Sequence, residues 1–94
     1  MEFRNEAIFA MKDLSVELNK YHYGSETAKY VRETLAELQK NEGVAFTGTL
    51  QVFFNRAPVV KLSESVEFNE SEEKLWRNVF SFNNLGNNLW GARL

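Results

Sequence analysis

The sequence predicts an α+β fold, and three patterns along the chain lead to that prediction. Two stretches in the first half repeat their apolar residues every three or four positions, as amphipathic helices do. After Gly43 apolar residues alternate with others, which is the period of a half-buried strand. Helical spacing returns near residue 70. We therefore expect two N-terminal helices, an antiparallel β-hairpin, alone or within a small sheet, then a third helix and an irregular C-terminal tail that docks onto the domain.

The first helix is predicted over residues 2–23, where the apolar stripe advances by steps of four and three. Its members are Ala7, Met11, Leu14, Leu18 and Tyr21. Ile8, Phe9 and Val16 lie off this stripe. We therefore expect two elements, or two subunits, to pack against the first helix.

The second helix is predicted over residues 26–42, and both of its ends carry boundary signals. Ser25 is a suitable N-cap, and Glu26 places a negative charge in the first turn. Lys40 falls in the last turn, and Gly43 stands where a left-handed C-cap is favoured.

The hairpin is predicted from alternation over residues 46–54 and 59–68, joined by a turn over residues 55–58. Pro58 suits that turn because it has no backbone N–H to offer a ladder. Glu64 interrupts the apolar face of the second strand. We therefore expect either a β-bulge or an exposed edge at that point.

The third helix is predicted over residues 70–82. Asn69 is a suitable N-cap with a glutamate three positions later, and Glu73 and Arg77 have the spacing of an i,i+4 pair. The tail is predicted over residues 83–94, where asparagines and glycines are mixed with leucines and Trp90.

Composition predicts a single domain over residues 1–94. The apolar fraction of 44% is too high for a disordered chain, and a net charge of −2 offers no bulk attraction to phosphate. The chain has no cysteine, which excludes disulfides and thiolate sites, and no apolar run approaches the roughly 20 residues of a membrane span. We expect a cytoplasmic protein that does not enter a membrane.

Catalytic and metal-binding motifs are not apparent in the sequence. The only histidine is His22 and the only aspartate is Asp13, too far apart on one helix to form a triad. Zinc sites need more cysteine and histidine than the chain contains. Gly48 is interpreted as a strand bulge or as a close approach of another backbone, such as the second helix. We predict no catalytic residue, no metal, no cofactor and no enzymatic activity.

Five glutamates between residues 64 and 73 form a local acidic run without lysine or arginine. They are Glu64, Glu67, Glu70, Glu72 and Glu73. The simplest interpretation is a solvated patch, and its functional version is a docking surface for a basic partner.

Large apolar residues exceed what one buried stripe per element can accommodate in a domain of this size. Those assigned to an interface are Phe9, Phe53, Val59, Trp76, Phe82 and Trp90. Aromatic residues dominate protein interfaces. The alternative to an interface is that the sheet and the tail of the domain itself cover these side chains. The sequence thus favours a small non-enzymatic protein that binds a protein partner and forms a homo-oligomer such as a dimer, in the manner of a phage-encoded or immunity-type inhibitor.

A second hypothesis is a binder of single-stranded nucleic acid or nucleotides. Phe53 would stack on a base, and Arg56 and Lys61 near the hairpin turn would contact phosphate. The negative net charge and the small number of clustered basic residues make this the weaker hypothesis.

Overall fold

The computed structural model describes residues 3–89, and these residues form four α-helices. Helix α1 comprises Phe3–Tyr21, α2 Glu26–Lys40, α3 Gly43–Glu64 and α4 Glu70–Leu89. Residues 3–89 contain no strand, so the predicted α+β class is wrong and the fold is all-α.

The start of α2 follows its signal in the sequence, but the predicted end of α2 at residue 42 with Gly43 as C-cap is wrong. The Ser25 hydroxyl accepts a hydrogen bond from the backbone N–H of Ala28 at 3.0 Å, which confirms the predicted N-cap. The helix ends at Lys40, and Asn41 is its C-cap. Gly43 does adopt a left-handed φ of +60°, but it opens α3 instead of closing α2.

The predicted hairpin is replaced by one continuous helix over residues 43–64. The error has a simple origin, because Phe46, Leu50 and Phe54 are four residues apart and four fits both a strand and a helix period. Phe53 and Ala57 decide between the two. They are buried together with the other three, and the steps of four, three and four from Phe46 to Ala57 fit only a helix.

Pro58 lies inside α3 and does not end it. A proline in a helix removes the hydrogen bond to the carbonyl four residues earlier, here that of Phe54. Pro58 is exposed, whereas Ala57 beside it and Phe53 one turn earlier are buried in the core. Burial on the core side therefore outweighs the loss of one backbone hydrogen bond, and the predicted turn over residues 55–58 does not form.

Helix α4 begins as predicted and extends further than predicted. The Asn69 side chain accepts the Glu72 backbone N–H, and the Glu72 carboxylate accepts the Asn69 backbone N–H, both at 2.8 Å. This reciprocal pair is a capping box. The Glu73–Arg77 pair is confirmed at 3.7 Å. Residues 83–89 are helical and not an irregular tail, and residues 90–94 lie outside the described part.

Neighbouring helices run antiparallel, as contacts between opposite ends show. The Arg4 guanidinium at the start of α1 donates to the carbonyls of Gln39 and Asn41 at the end of α2. The Ser71 hydroxyl at the start of α4 donates to the Glu17 carboxylate late in α1. Helix α2 packs between α1 and α3, and α4 packs mainly against α1 and less extensively against α3.

The centre of the core is aromatic. The Phe53 ring stacks on Tyr30 with centroids 5.7 Å apart, and it also contacts Phe54, Trp76 and Phe80. All these rings come from α2, α3 and α4, so this cluster joins three of the four helices. Within residues 3–89, no helix combines the length and the apolar composition needed to cross a membrane.

Candidate interaction surface

The side of α3 that faces away from the core carries a continuous row of exposed residues, which we call the outer stripe. Its members are Val44, Gly48, Val52, Asn55, Val59 and Leu62, at steps of four, four, three, four and three. Because a helix has 3.6 residues per turn, these positions lie along one line of α3. The four large apolar side chains are 88%, 50%, 64% and 79% exposed in chain order.

The outer stripe has the spacing of a surface that packs against another helix. A helix at the surface of a small protein normally presents polar residues to water. From Gly48 to Leu62 the steps are four, three, four and three, which is the a and d spacing of a helix-pairing seam. Helix α3 therefore has one apolar face in the core and a second one that no described residue covers.

A groove of about 810 Å³ lies beside the N-terminal half of the outer stripe, between α2 and α3. On the α3 side its wall includes Ala45, Gly48 and Val52. A Cβ atom added to Gly48 would meet no heavy atom within 4 Å, so the predicted close approach of α2 to this glycine does not occur within the described structure. The small side chains at 45 and 48 leave the α3 wall of the groove recessed, while Val44 projects beside it.

The charged residues lining the groove are Glu33 and Glu37 of α2, and both are exposed. Tyr30 lines the same wall. Burial raises the pKa of the Tyr30 hydroxyl, against the opposing effects of the Arg56 charge and a hydrogen bond with Thr34. Arg56 thus lies near Tyr30. The groove is acidic where α2 ends and α3 begins, and Arg56 is exposed on α3 two turns beyond the lining residue Thr49.

Three of the predicted interface residues are wholly or partly enclosed by the protein itself. Phe53 is 0% exposed and Trp76 is 9% exposed. Phe82 is half-buried and meets Phe3 edge to face at 5.8 Å. Trp90 lies outside the described residues. Many of the aromatic residues that the sequence suggested as an interface are therefore buried in the core, because α2, α3 and α4 all direct aromatic rings into it.

The other two predicted interface residues, Phe9 and Val59, are exposed at 64% each. Val59 belongs to the outer stripe. Phe9 lies on α1, where Val16 is also exposed but Lys12 and Asp13 stand between them in the sequence. The exposed apolar surface of α1 is thus mixed with charges, in contrast to the outer stripe.

The residues predicted to contact nucleic acid do not form one surface. Phe53 cannot stack on a base because its ring is enclosed by other aromatic rings. The Lys61 ammonium lies over the Phe68 ring at 4.6 Å, and Arg56 is exposed. The hairpin that was expected to hold the three side chains together does not form.

The predicted acidic patch is divided between structural and exposed residues. Glu64 is the last residue of α3, and its carboxylate accepts hydrogen bonds from the backbone N–H groups of Glu26 and Thr27 and from the Thr27 hydroxyl. Burial alone would raise the pKa of Glu64, but these hydrogen bonds outweigh it and the pKa lies below its ordinary value. The expected bulge or edge position for Glu64 is replaced by this role at the N-terminus of α2.

Glu72 is fully buried, which is unusual for a carboxylate. One of its oxygens accepts the Asn69 N–H and lies 3.0 Å from the His22 ring Nε2, while the other oxygen has no partner among the described residues. His22 thereby ties the end of α1 to the start of α4. Glu67 and Glu70 are exposed, and Glu73 is paired with Arg77.

Sequence reasoning missed the outer stripe as a surface, although it singled out Val59 and Gly48 individually. A signal was present, because residues 44 to 62 can be tested for helical spacing as well as for alternation. Helical spacing places the apolar residues of this segment in two stripes on opposite sides of α3. A period of two residues reveals neither stripe.

Among residues 3–89 no group of three or more histidine or acidic side chains is arranged to hold a metal ion. No family model, curated protein or solved structure matches the chain.

Proposed function

We propose that this protein is a non-enzymatic binding protein that makes protein–protein contacts through the outer stripe of α3. The observation that carries the proposal is the row of exposed valine and leucine side chains at helix-packing spacing. Keeping Val44, Val59 and Leu62 in water is unfavourable by roughly 25 cal/mol for each Å² of apolar surface. A partner that covers the stripe removes this cost.

Two features support a protein partner over a nucleic acid. The groove beside the stripe is lined by Glu33 and Glu37, which repel phosphate. Among residues 3–83, the aromatic side chain that lines the groove is Tyr30, and its ring stacks on Phe53. A cytoplasmic location and an inhibitor role remain predictions from the sequence.

A photo-crosslinking amino acid placed at Val59 tests this proposal in cells of the native host. The matched control carries the same crosslinker at Asn78, an exposed position on α4. We expect discrete protein adducts from position 59 and none from position 78, and adding Leu62→Ser should remove them. Indistinguishable adduct patterns from the two positions would contradict the proposal, provided that circular dichroism shows both variants to be folded.

A further inference from the structure

We propose that the outer stripe binds a second copy of this chain, with the two α3 helices packed antiparallel about a two-fold axis. This inference rests on the proposed function and names the partner of the same surface. The evidence is the distribution of side-chain size along α3, and of charge on α3 and the neighbouring wall of α2.

Side-chain size along the α3 surface is self-complementary in the antiparallel direction. The seam at a and d spacing that pairs in this way begins at Ala45, one position after Val44, the first member of the outer stripe. It is small at its N-terminal end, with Ala45 and Gly48, and large at its C-terminal end, with Val59 and Leu62, while Val44 flanks it. Antiparallel pairing with full overlap places Ala45 opposite Leu62 of the second copy and Gly48 opposite Val59. The large side chains of each copy then fill the recessed end of the groove in the other, whereas parallel pairing would place small against small and large against large.

This arrangement explains why a glycine occupies position 48. A glycine in an exposed helix interior costs about 1 kcal/mol relative to alanine, and nothing within the described structure needs the space at its Cβ. Small residues at a helix crossing let two helices approach to about 8 Å. The arrangement places the second copy's α3 at this position.

Charge complementarity points in the same direction. The acidic side chains Glu33 and Glu37 line the groove, and Arg56 is exposed on α3 two turns beyond Thr49. Arg56 is on the same side of α3 as Thr49, which also lines the groove. In an antiparallel pair related by a two-fold axis, the flank of one α3 helix lies next to the same flank of the other. Arg56 of one copy therefore lies near the acidic α2 wall of the other copy. The central Val52 faces Asn55 of the second copy in this register.

The first test measures self-association by sedimentation velocity over a concentration series. We expect a monomer–dimer equilibrium that Val59→Ser with Leu62→Ser abolishes, while Phe9→Ser, an equally exposed apolar change on α1, leaves it unaltered. Gly48→Ala is the sharper variant. It should weaken dimerisation by about tenfold or more while raising the thermal unfolding midpoint of the diluted monomer, because alanine favours the helix. Tighter dimerisation by Gly48→Ala would overturn the arrangement.

The second test exchanges charges between two chains. Arg56→Glu alone, and Glu33→Lys with Glu37→Lys in a second variant, should each weaken self-association about fivefold to tenfold. Mixing the two variants should restore the dimer, because each contact then joins opposite charges. Failure of the mixture to form heterodimers would overturn the proposed facing of these groups.

The third test uses the absence of cysteine from the chain. A mixture of Ala45→Cys and Leu62→Cys chains should form the mixed disulfide on oxidation, whereas each variant alone should remain largely uncrosslinked. Disulfides within each single variant would indicate parallel pairing and overturn the proposal. A strict monomer up to about 1 mM, the range of a very weak complex, would also overturn it. If position 59 still crosslinks to a different protein in cells, the proposed function stands without the dimer.

Discussion

Replacing Glu64 tests how the end of α3 is joined to the start of α2. Its carboxylate accepts three hydrogen bonds of 2.6, 3.0 and 2.8 Å, from the Glu26 N–H, the Thr27 N–H and the Thr27 hydroxyl. Free N–H groups in the first turn of a helix need acceptors, and the helix dipole favours a negative charge there. Glu64 thus supplies from 38 residues away a cap that Ser25 alone does not complete.

The magnitude follows from these contacts. An N-cap acceptor contributes about 0.5–2 kcal/mol, and a charge at a helix N-terminus about 0.3–1 kcal/mol. Because Glu64 is half-buried and partly screened by water, we take values in the lower half of each range. Glu64→Ala should lower the free energy of unfolding by about 1.5 kcal/mol and the melting temperature by roughly 6–12 °C. Glu64→Gln keeps an acceptor oxygen and should cost about half as much.

The effect of Glu64 depends on pH with a definite sign. Its pKa in the folded protein lies below the ordinary value of 4.5. A carboxyl group with a lowered folded pKa stabilises the protein at pH values above its unfolded pKa, and this stabilisation is lost as the pH falls through the folded value. The stability difference between the wild type and Glu64→Gln should therefore be constant at neutral pH and shrink as the pH falls below 4.5.

Thermal and urea unfolding followed by circular dichroism measure these differences. Glu67→Ala and Glu67→Gln are the matched controls, because Glu67 is an exposed glutamate three residues away. They should change the free energy of unfolding by no more than about 0.5 kcal/mol. If Glu64→Ala and Glu67→Ala destabilise the protein equally, the argument for capping by Glu64 is refuted.

Two further predictions concern the core. Phe53→Ala should lower the free energy of unfolding by about 3–5 kcal/mol, because a fully buried ring at the centre of the aromatic cluster is lost; an unchanged urea midpoint would mean that Phe53 is not buried. His22→Ala should cost about 1–2 kcal/mol by depriving the buried Glu72 carboxylate of one of its two partners. Adding Glu72→Gln to it should cost less than the sum of the single changes, as a double-mutant cycle by urea unfolding will show, and strict additivity would mean that the two side chains do not interact.

Helix starts that depend on a capping side chain a few residues away were predictable, whereas the local C-cap signal at Gly43 was misleading. Ser25 caps α2 and Asn69 with Glu72 caps α4, because the capping side chain bonds to a backbone N–H only three residues away. The pair formed by Glu73 and Arg77 is equally local. Such interactions need no knowledge of the rest of the fold.

The region from 43 to 68 was not predictable in the same way. Phe46, Leu50 and Phe54 satisfy the strand period and the helix period alike, so local pattern leaves two conformations open. Which one forms depends on what lies opposite. Tyr30 of α2 and Phe80 of α4 close around Phe53, and a helix presents Phe53 and Phe54 to both neighbours at once, whereas a strand would send them to opposite faces.

The candidate interaction surface was likewise predictable only in part from the sequence. By itself the sequence determined that the chain carries more large apolar residues than one stripe per element requires, and that it contains one histidine, one aspartate and no cysteine. The tertiary structure decided which of those residues remain outside the core: Phe53 and Trp76 are buried in it, whereas Val59 and Leu62 are exposed. The physical reason is that burial is a property of facing elements, and a residue's own neighbours in the chain do not specify which element it will face.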